Sequence, residues 1–80
     1  MSLLDKVPAP KLPFPIDLMD SEPVEVTNPF SGAKCMLTPT QVSVYDVIRG
    51  AEMLGAYSIV RKGLDWFRKH YAEEYYILLD

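Results

Sequence analysis

Two side chains of this sequence are the natural candidates for acid–base or nucleophilic chemistry, His70 and Cys35. His70 is the only histidine, the residue type whose unperturbed pKa lies near neutrality, and Glu73 or Glu74 could assist it as a general base. The spacing supplies no second catalytic partner, however, and a cation late in a helix is favoured by the helix dipole. We therefore expect His70 to be a helix-terminal cation without a catalytic role.

Cys35 is the only cysteine and could act as a nucleophile. Lys34 is the one basic neighbour that could lower the pKa of its thiol. Between Lys34 and Met36 in a strand, the thiol is expected to fill space as a small hydrophobic group. A single cysteine also excludes a disulfide within the chain and is consistent with a reducing compartment.

The remaining polar residues have no spacing typical of a metal or cofactor site. A structural zinc site takes several Cys or His ligands, whereas this sequence has one of each. Asp46, Glu52 and Asp65 lack the spacing of a metal-binding loop. The glycines match neither a phosphate-binding loop nor a dinucleotide fingerprint. The sequence therefore predicts no cofactor, no metal site and no enzymatic activity.

Length, charge and hydropathy argue against several further classes of protein. Eighty residues form one small domain, and 24% charged with 49% hydrophobic residues is a globular composition. The net charge of -3 disfavours a primary nucleic-acid binder, because phosphate contacts need a clustered positive surface. Charges and then prolines follow Met1–Leu4 at once, unlike a signal peptide, and no apolar run approaches the roughly 18 residues of a membrane span. We expect a cytoplasmic location.

The elements that must position any site begin with a proline-rich segment. Residues 1–22 hold four of the seven prolines, which predicts an extended arm without regular hydrogen bonding. Apolar residues, Leu12 and Phe14 among them, punctuate the arm, so we expect it to lie along its own domain or another chain. Residues 23–80 are expected to form one small domain, a β-hairpin plus a helical hairpin.

Residues 24–37 are predicted to form the β-hairpin. Val24–Thr27 alternates apolar and polar side chains, which is the period of a half-buried strand. Residues 28–32 read Asn-Pro-Phe-Ser-Gly, in which Pro presets φ and Gly accepts a positive φ, as a turn requires. Residues 33–37 then supply the second strand.

A helix is predicted from Pro39 to about Leu54. Thr38 caps it, Pro39 suits its first position, and Gln41 completes a capping box. Gly55 is placed to end the helix in the left-handed conformation. The expected buried face comprises Val44, Val47, Ile48, Ala51 and Leu54.

A second helix is predicted over 57–71, which makes an αα-hairpin. Its apolar stripe comprises Val60, Gly63, Leu64, Phe67 and Tyr71, and Asp65 can pair with Arg61 or Lys69 at i,i+4 spacing. Gly50 and Gly63 are interpreted as points where helices approach closely. Residues 73–80 predict a short third helix, with a strand as the alternative. The predicted fold class is α+β.

Aromatic residues crowd the last third of the sequence. Trp66 lies off the apolar stripe, so it is either a core residue or an interface anchor, since Trp and Tyr are favoured in interfaces. The aromatic residues and the apolar side chains of the arm together predict a partner-binding set. It comprises Leu12, Phe14, Trp66, Tyr75 and Tyr76.

The only basic cluster supports an alternative function. Arg61, Lys62, Arg68 and Lys69 lie on the second predicted helix, which could be the recognition helix of a small helix-turn-helix nucleic-acid-binding protein. Asp65 and two glutamates lie among these bases, and the chain is acidic. We therefore favour a solvated helix face and regard nucleic acid as a disfavoured partner.

Five sequence segments carry a resemblance to a known group. They are Asn-Pro-Phe-Ser-Gly (28–32), Leu-Thr-Pro (37–39), Val-Tyr-Asp-Val-Ile-Arg-Gly-Ala-Glu-Met (44–53), Val-Arg-Lys-Gly-Leu-Asp-Trp-Phe (60–67) and Tyr-Tyr-Ile-Leu-Leu-Asp (75–80). Together they resemble small uncharacterised proteins encoded by tailed bacteriophages, particularly marine ones. The resemblance covers about two thirds of the chain and implies a viral protein in the host cytoplasm or the virion. We expect a non-enzymatic interaction module, either a host-directed modulator or a virion or assembly accessory. It would bind a protein partner or itself as a homo-oligomer, without a membrane.

Overall fold

The computed structural model describes residues 11–16 and 21–80, so much of the predicted arm lies outside the described residues. The elements are β1 (Val24–Thr27), β2 (Lys34–Leu37), α1 (Pro39–Leu54), α2 (Tyr57–His70) and α3 (Ala72–Leu78). The α+β class, with a β-hairpin, an αα-hairpin and a short C-terminal helix, is therefore confirmed. The end of the chain is helical and not the alternative strand. Residues 11–16 form neither helix nor strand.

The β-hairpin presents one apolar face to the helices. Its strands are antiparallel, with Val24 opposite Leu37 and Val26 opposite Cys35. These side chains belong to the core or pack against it, and Leu37 is fully buried. The turn is closed by the side-chain oxygen of Asn28, which accepts hydrogen bonds from the backbone nitrogens of residues 30 (2.8 Å) and 31 (3.3 Å). A two-stranded hairpin is marginal alone, so this packing stabilises it.

Local signals determine both ends of α1. The backbone nitrogen of Thr38 donates to Gln41 Oε1 at 2.8 Å, and the backbone nitrogen of Gln41 donates to Thr38 Oγ1 at 3.2 Å. Gly55 follows the helix with a φ of 72°, the left-handed region that favours glycine. The predicted bounds and caps are confirmed.

The predicted buried face of α1 is correct only in part. Val44, Ile48 and Ala51 are buried, but Leu54 is 86% exposed. Periodicity places Leu54 on the same stripe, yet the chain turns at Gly55 immediately after it, so α2 leaves this last turn uncovered.

Helices α1 and α2 approach most closely at Gly63. A Cβ atom at this position would overlap Cγ1 of Ile48 and lie 2.6 Å from its Cδ1. The predicted close approach at Gly63 is therefore confirmed. At Gly50 the same prediction is wrong, because an added Cβ would meet nothing within 4 Å.

Helix α3 is held in place by side chains from two other elements. Nδ2 of Asn28 donates to the Ile77 carbonyl oxygen at 3.0 Å, and Nη2 of Arg49 donates to the Leu78 carbonyl oxygen at 3.1 Å. A helix of seven residues is too short to be stable alone. Its position against α2 and β2 therefore depends on these caps and on the burial of Leu78 in the core.

Candidate functional site

A groove lies between α2 and α3. Its volume is about 380 Å³. Six of the lining residues come from α2 at helical spacing, so they share one side of that helix, and α3 supplies the seventh. The lining residues are Tyr57, Val60, Arg61, Leu64, Asp65, Arg68 and Tyr75. We call this feature the α2–α3 groove.

The floor of the α2–α3 groove is apolar. Val60, Leu64 and Tyr75 are half-buried and pack against the core. Because the core holds these side chains from beneath, the floor is preorganised and presents partly exposed apolar surface. Tyr57, at one end of the groove, is 72% exposed.

The rim of the groove is charged. Nη2 of Arg68 donates to Oδ1 of Asp65 at 2.8 Å, an i,i+3 ion pair that takes the place of the predicted pairs of Asp65 with Arg61 or Lys69. Among the described residues, Arg61 makes no ion pair or hydrogen bond. The rim therefore presents one neutralised pair and one cation that is available to a ligand.

Exposed apolar side chains continue the groove at the turn between α1 and α2. Met53 and Leu54 are 87% and 86% exposed, and with Tyr57 they flank the turn at Gly55. We call Met53, Leu54 and Tyr57 the tip patch. Tyr57 belongs both to the tip patch and to the lining of the groove, so the tip patch adjoins the groove along the chain.

Trp66 lies in the core and is not on an exposed binding surface. Its side chain is only 5% exposed, its ring contacts those of Phe67 and Tyr71 at centroid distances of 5.0 and 5.1 Å, and its Nε1 donates to the Lys11 carbonyl oxygen at 2.8 Å. Of the two roles that the sequence left open, the structure therefore places Trp66 in the core.

The described part of the arm lies on its own domain. Phe14 is half-buried against the core, and its Cε2 is 3.5 Å from the position of a Cβ at Gly63. Leu12, at 39% exposure, is not part of the core. In this arrangement Phe14 covers the crossing of α1 and α2 and is not directed outward to a partner.

Of the predicted site residues, the two C-terminal tyrosines form a pair of their own. Tyr75 lines the groove, while Tyr76 is 64% exposed, and their rings meet edge to face at 5.7 Å. The six α2 residues of the groove are absent from the partner-binding set that the sequence predicted. The sequence did contain a signal for this face. Residues of apolar and basic character recur at i,i+3 and i,i+4 spacing in the second predicted helix, namely Tyr57, Arg61, Leu64 and Arg68.

The two candidate catalytic residues, His70 and Cys35, do not line the α2–α3 groove. His70 is exposed in the basic last turn of α2, beside the Trp66 and Tyr71 rings at 6.1 and 6.5 Å. Burial, with the nearby Glu74 and Glu73 carboxylates, raises the pKa of the Cys35 thiol. A raised pKa keeps the thiol protonated at neutral pH, which is opposite to the activation of a nucleophile.

Comparison with known proteins gives no match to a protein-family model, a curated protein or a solved structure. Over residues 11–16 and 21–80, no three His, Cys, Asp or Glu side chains gather as ligands for a metal ion. In the same ranges, every helix is too short or too polar to cross a membrane. The groove and the tip patch are the concave and the exposed apolar surfaces described above.

Proposed function

We propose that the protein is a small non-enzymatic protein-interaction module that binds its partner on the α2–α3 groove and the tip patch. The observation that carries this proposal is a 380 Å³ groove lined in part by Tyr57, with Met53 and Leu54 at the adjoining turn; these three large apolar side chains are 72–87% exposed. Isolated exposed apolar residues are ordinary, but a contiguous apolar patch with a charged rim is typical of interaction sites.

The energy available from this surface suits a reversible contact. Burying one large apolar side chain contributes roughly 1.5–3 kcal/mol. The tip patch offers three such side chains, and the loss of rigid-body freedom on association offsets much of their contribution. A partner that binds only the folded chain also stabilises it, which matters for a small domain.

The resemblance of residues 28–80 to small phage proteins supplies the biological setting of the proposal. The module would act in the cytoplasm of an infected bacterium or in the virion. Its partner would be a host protein that it modulates, a virion or assembly protein, or a second copy of itself.

A second candidate function is a small helix-turn-helix nucleic-acid-binding protein. Arg61, Lys62, Arg68 and Lys69 are all exposed on α2 and are half of the eight basic residues in the chain. The Asp65–Arg68 ion pair neutralises one of them, and the chain carries a net charge of -3. Retention on DNA that falls steeply with salt, by about 0.9 log units per phosphate contact for each tenfold rise in salt, would favour this candidate.

Photo-crosslinking tests the favoured function. A photoreactive phenylalanine analogue replaces Tyr57 in one variant and Phe30 in the matched control, since Phe30 is 89% exposed on the hairpin turn and outside the groove. In lysate of infected cells, we expect position 57 to crosslink a defined protein that position 30 does not. The purified partner should then bind the wild-type chain and should bind a Leu54→Asp variant more weakly.

The identity of the crosslinked protein distinguishes the possible roles. A host enzyme or polymerase subunit would indicate a host-directed modulator, and virion proteins would indicate an assembly accessory. A crosslink to the chain itself would indicate self-association. Equal crosslinking at both positions, or none at position 57, would contradict the proposed surface.

A further inference from the structure

We infer that the occupant of the α2–α3 groove is an acidic amphipathic helix of a partner protein, which inserts one or two large apolar side chains and places a carboxylate on Arg61. This inference rests on the function proposed above and specifies the chemistry of the partner. It is carried by the size of the groove, the nature of its walls and the charge on its rim.

The dimensions of the groove suit a peptide segment. Ligand pockets span roughly 300–1,000 Å³, so 380 Å³ is near the lower limit and accommodates one or two large side chains. The α2 wall extends from position 57 to position 68, a length of about 16 Å at about 1.5 Å per residue. An occupant that follows this wall is therefore elongated, with about three helical turns in contact.

The walls favour a helix over an added strand. Strand addition needs a sheet edge with unpaired backbone N–H and C=O groups. Both walls of this groove are helices, whose backbone groups are mostly bonded within each helix. Recognition must therefore use side chains, as when an amphipathic helix lays its apolar residues, spaced at i, i+3 and i+4, into a groove.

The rim charge selects an acidic occupant. Arg61 is exposed and has no ionic partner among the described residues, whereas Arg68 is already bonded to Asp65. The other charged residues of this region, Lys62 and Lys69 on α2 and Glu73 and Glu74 on α3, do not line the groove. A carboxylate beside Arg61 would be attracted during approach and held in register, while a basic helix would be repelled.

Selection of peptides on the full-length protein tests the inference. A displayed library of random peptides of about 16 residues, enough for about four helical turns, is selected on the immobilised chain. We expect the enriched peptides to be net acidic, with large apolar residues at helical spacing. The most enriched peptide, labelled with fluorescein, is then titrated against the wild type and two charge-reversal variants.

The two variants differ only in whether the reversed charge lines the groove. Arg61→Glu changes a lining residue, and Lys62→Glu makes the same change of charge on its neighbour outside the groove. Both side chains are exposed and have no ionic partner within residues 11–16 and 21–80, so both variants should have the melting temperature of the wild type. If either variant is destabilised, Arg61→Ala takes the place of Arg61→Glu. We expect Kd to rise about tenfold or more for Arg61→Glu, and less than about threefold for Lys62→Glu.

The outcomes separate this inference from the function that it refines. Enriched peptides without acidic bias, or equal weakening by the two variants, would overturn the acidic helix and leave a protein-interaction module. No enrichment over the bare support, or tighter binding of a labelled DNA duplex than of any selected peptide, would also overturn it. The crosslink at position 57 tests the proposed function independently.

Discussion

The side-chain nitrogen of Asn28 donates a 3.0 Å hydrogen bond to the carbonyl oxygen of Ile77, a residue 49 positions further along the chain. The side-chain oxygen of the same residue closes the hairpin turn by accepting two backbone N–H groups. Asn28 is buried, at 6% exposure. One carboxamide thus joins the β-hairpin to the last helix and helps to form one wall of the groove.

Replacement of Asn28 by alanine should lower the free energy of unfolding by about 1–3 kcal/mol, because three partly buried hydrogen bonds, one to α3 and two within the turn, are lost. The measurement is urea denaturation followed by circular dichroism. Ser31→Ala is the control in the same turn, since its hydroxyl accepts one exposed hydrogen bond, and we expect a change below about 0.5 kcal/mol. Equal effects of the two changes would show that the contact with Ile77 contributes nothing.

Replacement of the two helical glycines by alanine should change the stability of the protein in opposite directions. Gly63→Ala forces a methyl group against the fully buried Ile48 and should destabilise the protein by about 1–3 kcal/mol. Gly50→Ala meets open space inside α1 and should stabilise it by about 0.5–1 kcal/mol. Thermal denaturation measures both. Addition of Ile48→Ala, which removes both Ile48 atoms that the new methyl group would meet, to Gly63→Ala should cost less than the sum of the two single changes. Strict additivity would disprove the clash.

Truncation of Phe14 tests whether the arm docks on its own domain. Phe14→Ala should lower the free energy of unfolding by about 1–3 kcal/mol, less than for a fully buried Phe because the ring is only half-buried. Emission of Trp66, which bonds the arm at Lys11, should shift to longer wavelength as water reaches the indole. Leu12→Ala is the control, with a smaller effect. Unchanged stability and emission in the Phe14 variant would contradict docking.

The pKa of Cys35 gives a prediction of pH dependence. Burial, then Glu74, then Glu73 raise this pKa, so alkylation by iodoacetamide at mildly alkaline pH should be slower than for a free cysteine. Glu74→Gln should lower the pKa and speed the reaction, while Glu22→Gln on an exposed segment should not. Mass spectrometry across a pH series measures the rates, and a profile that does not respond to Glu74→Gln would contradict this account.

The same shift affects stability in a defined direction. The unfolded thiol ionises at lower pH than the folded one, so the folded state binds the proton more tightly. The contribution of Cys35 to the free energy of unfolding is therefore undiminished at neutral pH and decreases as the pH rises through the alkaline range. Cys35→Ala should remove this part of the pH dependence.

Local physics explains which parts of the fold could be predicted. The capping box at Thr38 and the left-handed Gly55 are properties of a few adjacent residues, so α1 was predicted to its ends. Alternation from Val24 and the turn at Asn28 likewise predicted the hairpin. The second predicted helix ended one residue late, because the chain leaves α2 at Tyr71 and starts α3 at once.

The groove could not be predicted because it depends on contacts between distant segments. Periodicity places Val60 and Leu64 on the apolar stripe of α2. Which part of that stripe remains accessible depends on where α3 packs against α2, and the sequence of α2 does not specify this. Trp66 lies off this stripe, but it is buried and donates a hydrogen bond to the carbonyl oxygen of Lys11, 55 positions earlier in the arm. Neither relationship is encoded within a single element.

The contact between Gly63 and Ile48 also constrains how this sequence can diverge. Because no space remains for a side chain at position 63 while position 48 is branched and fully buried, the two positions must change together. A distant homologue would keep glycine at the first, or would carry alanine there with a smaller residue at the second. This coupled pair is a criterion by which sequences too divergent for ordinary similarity could be recognised as sharing the same helical crossing.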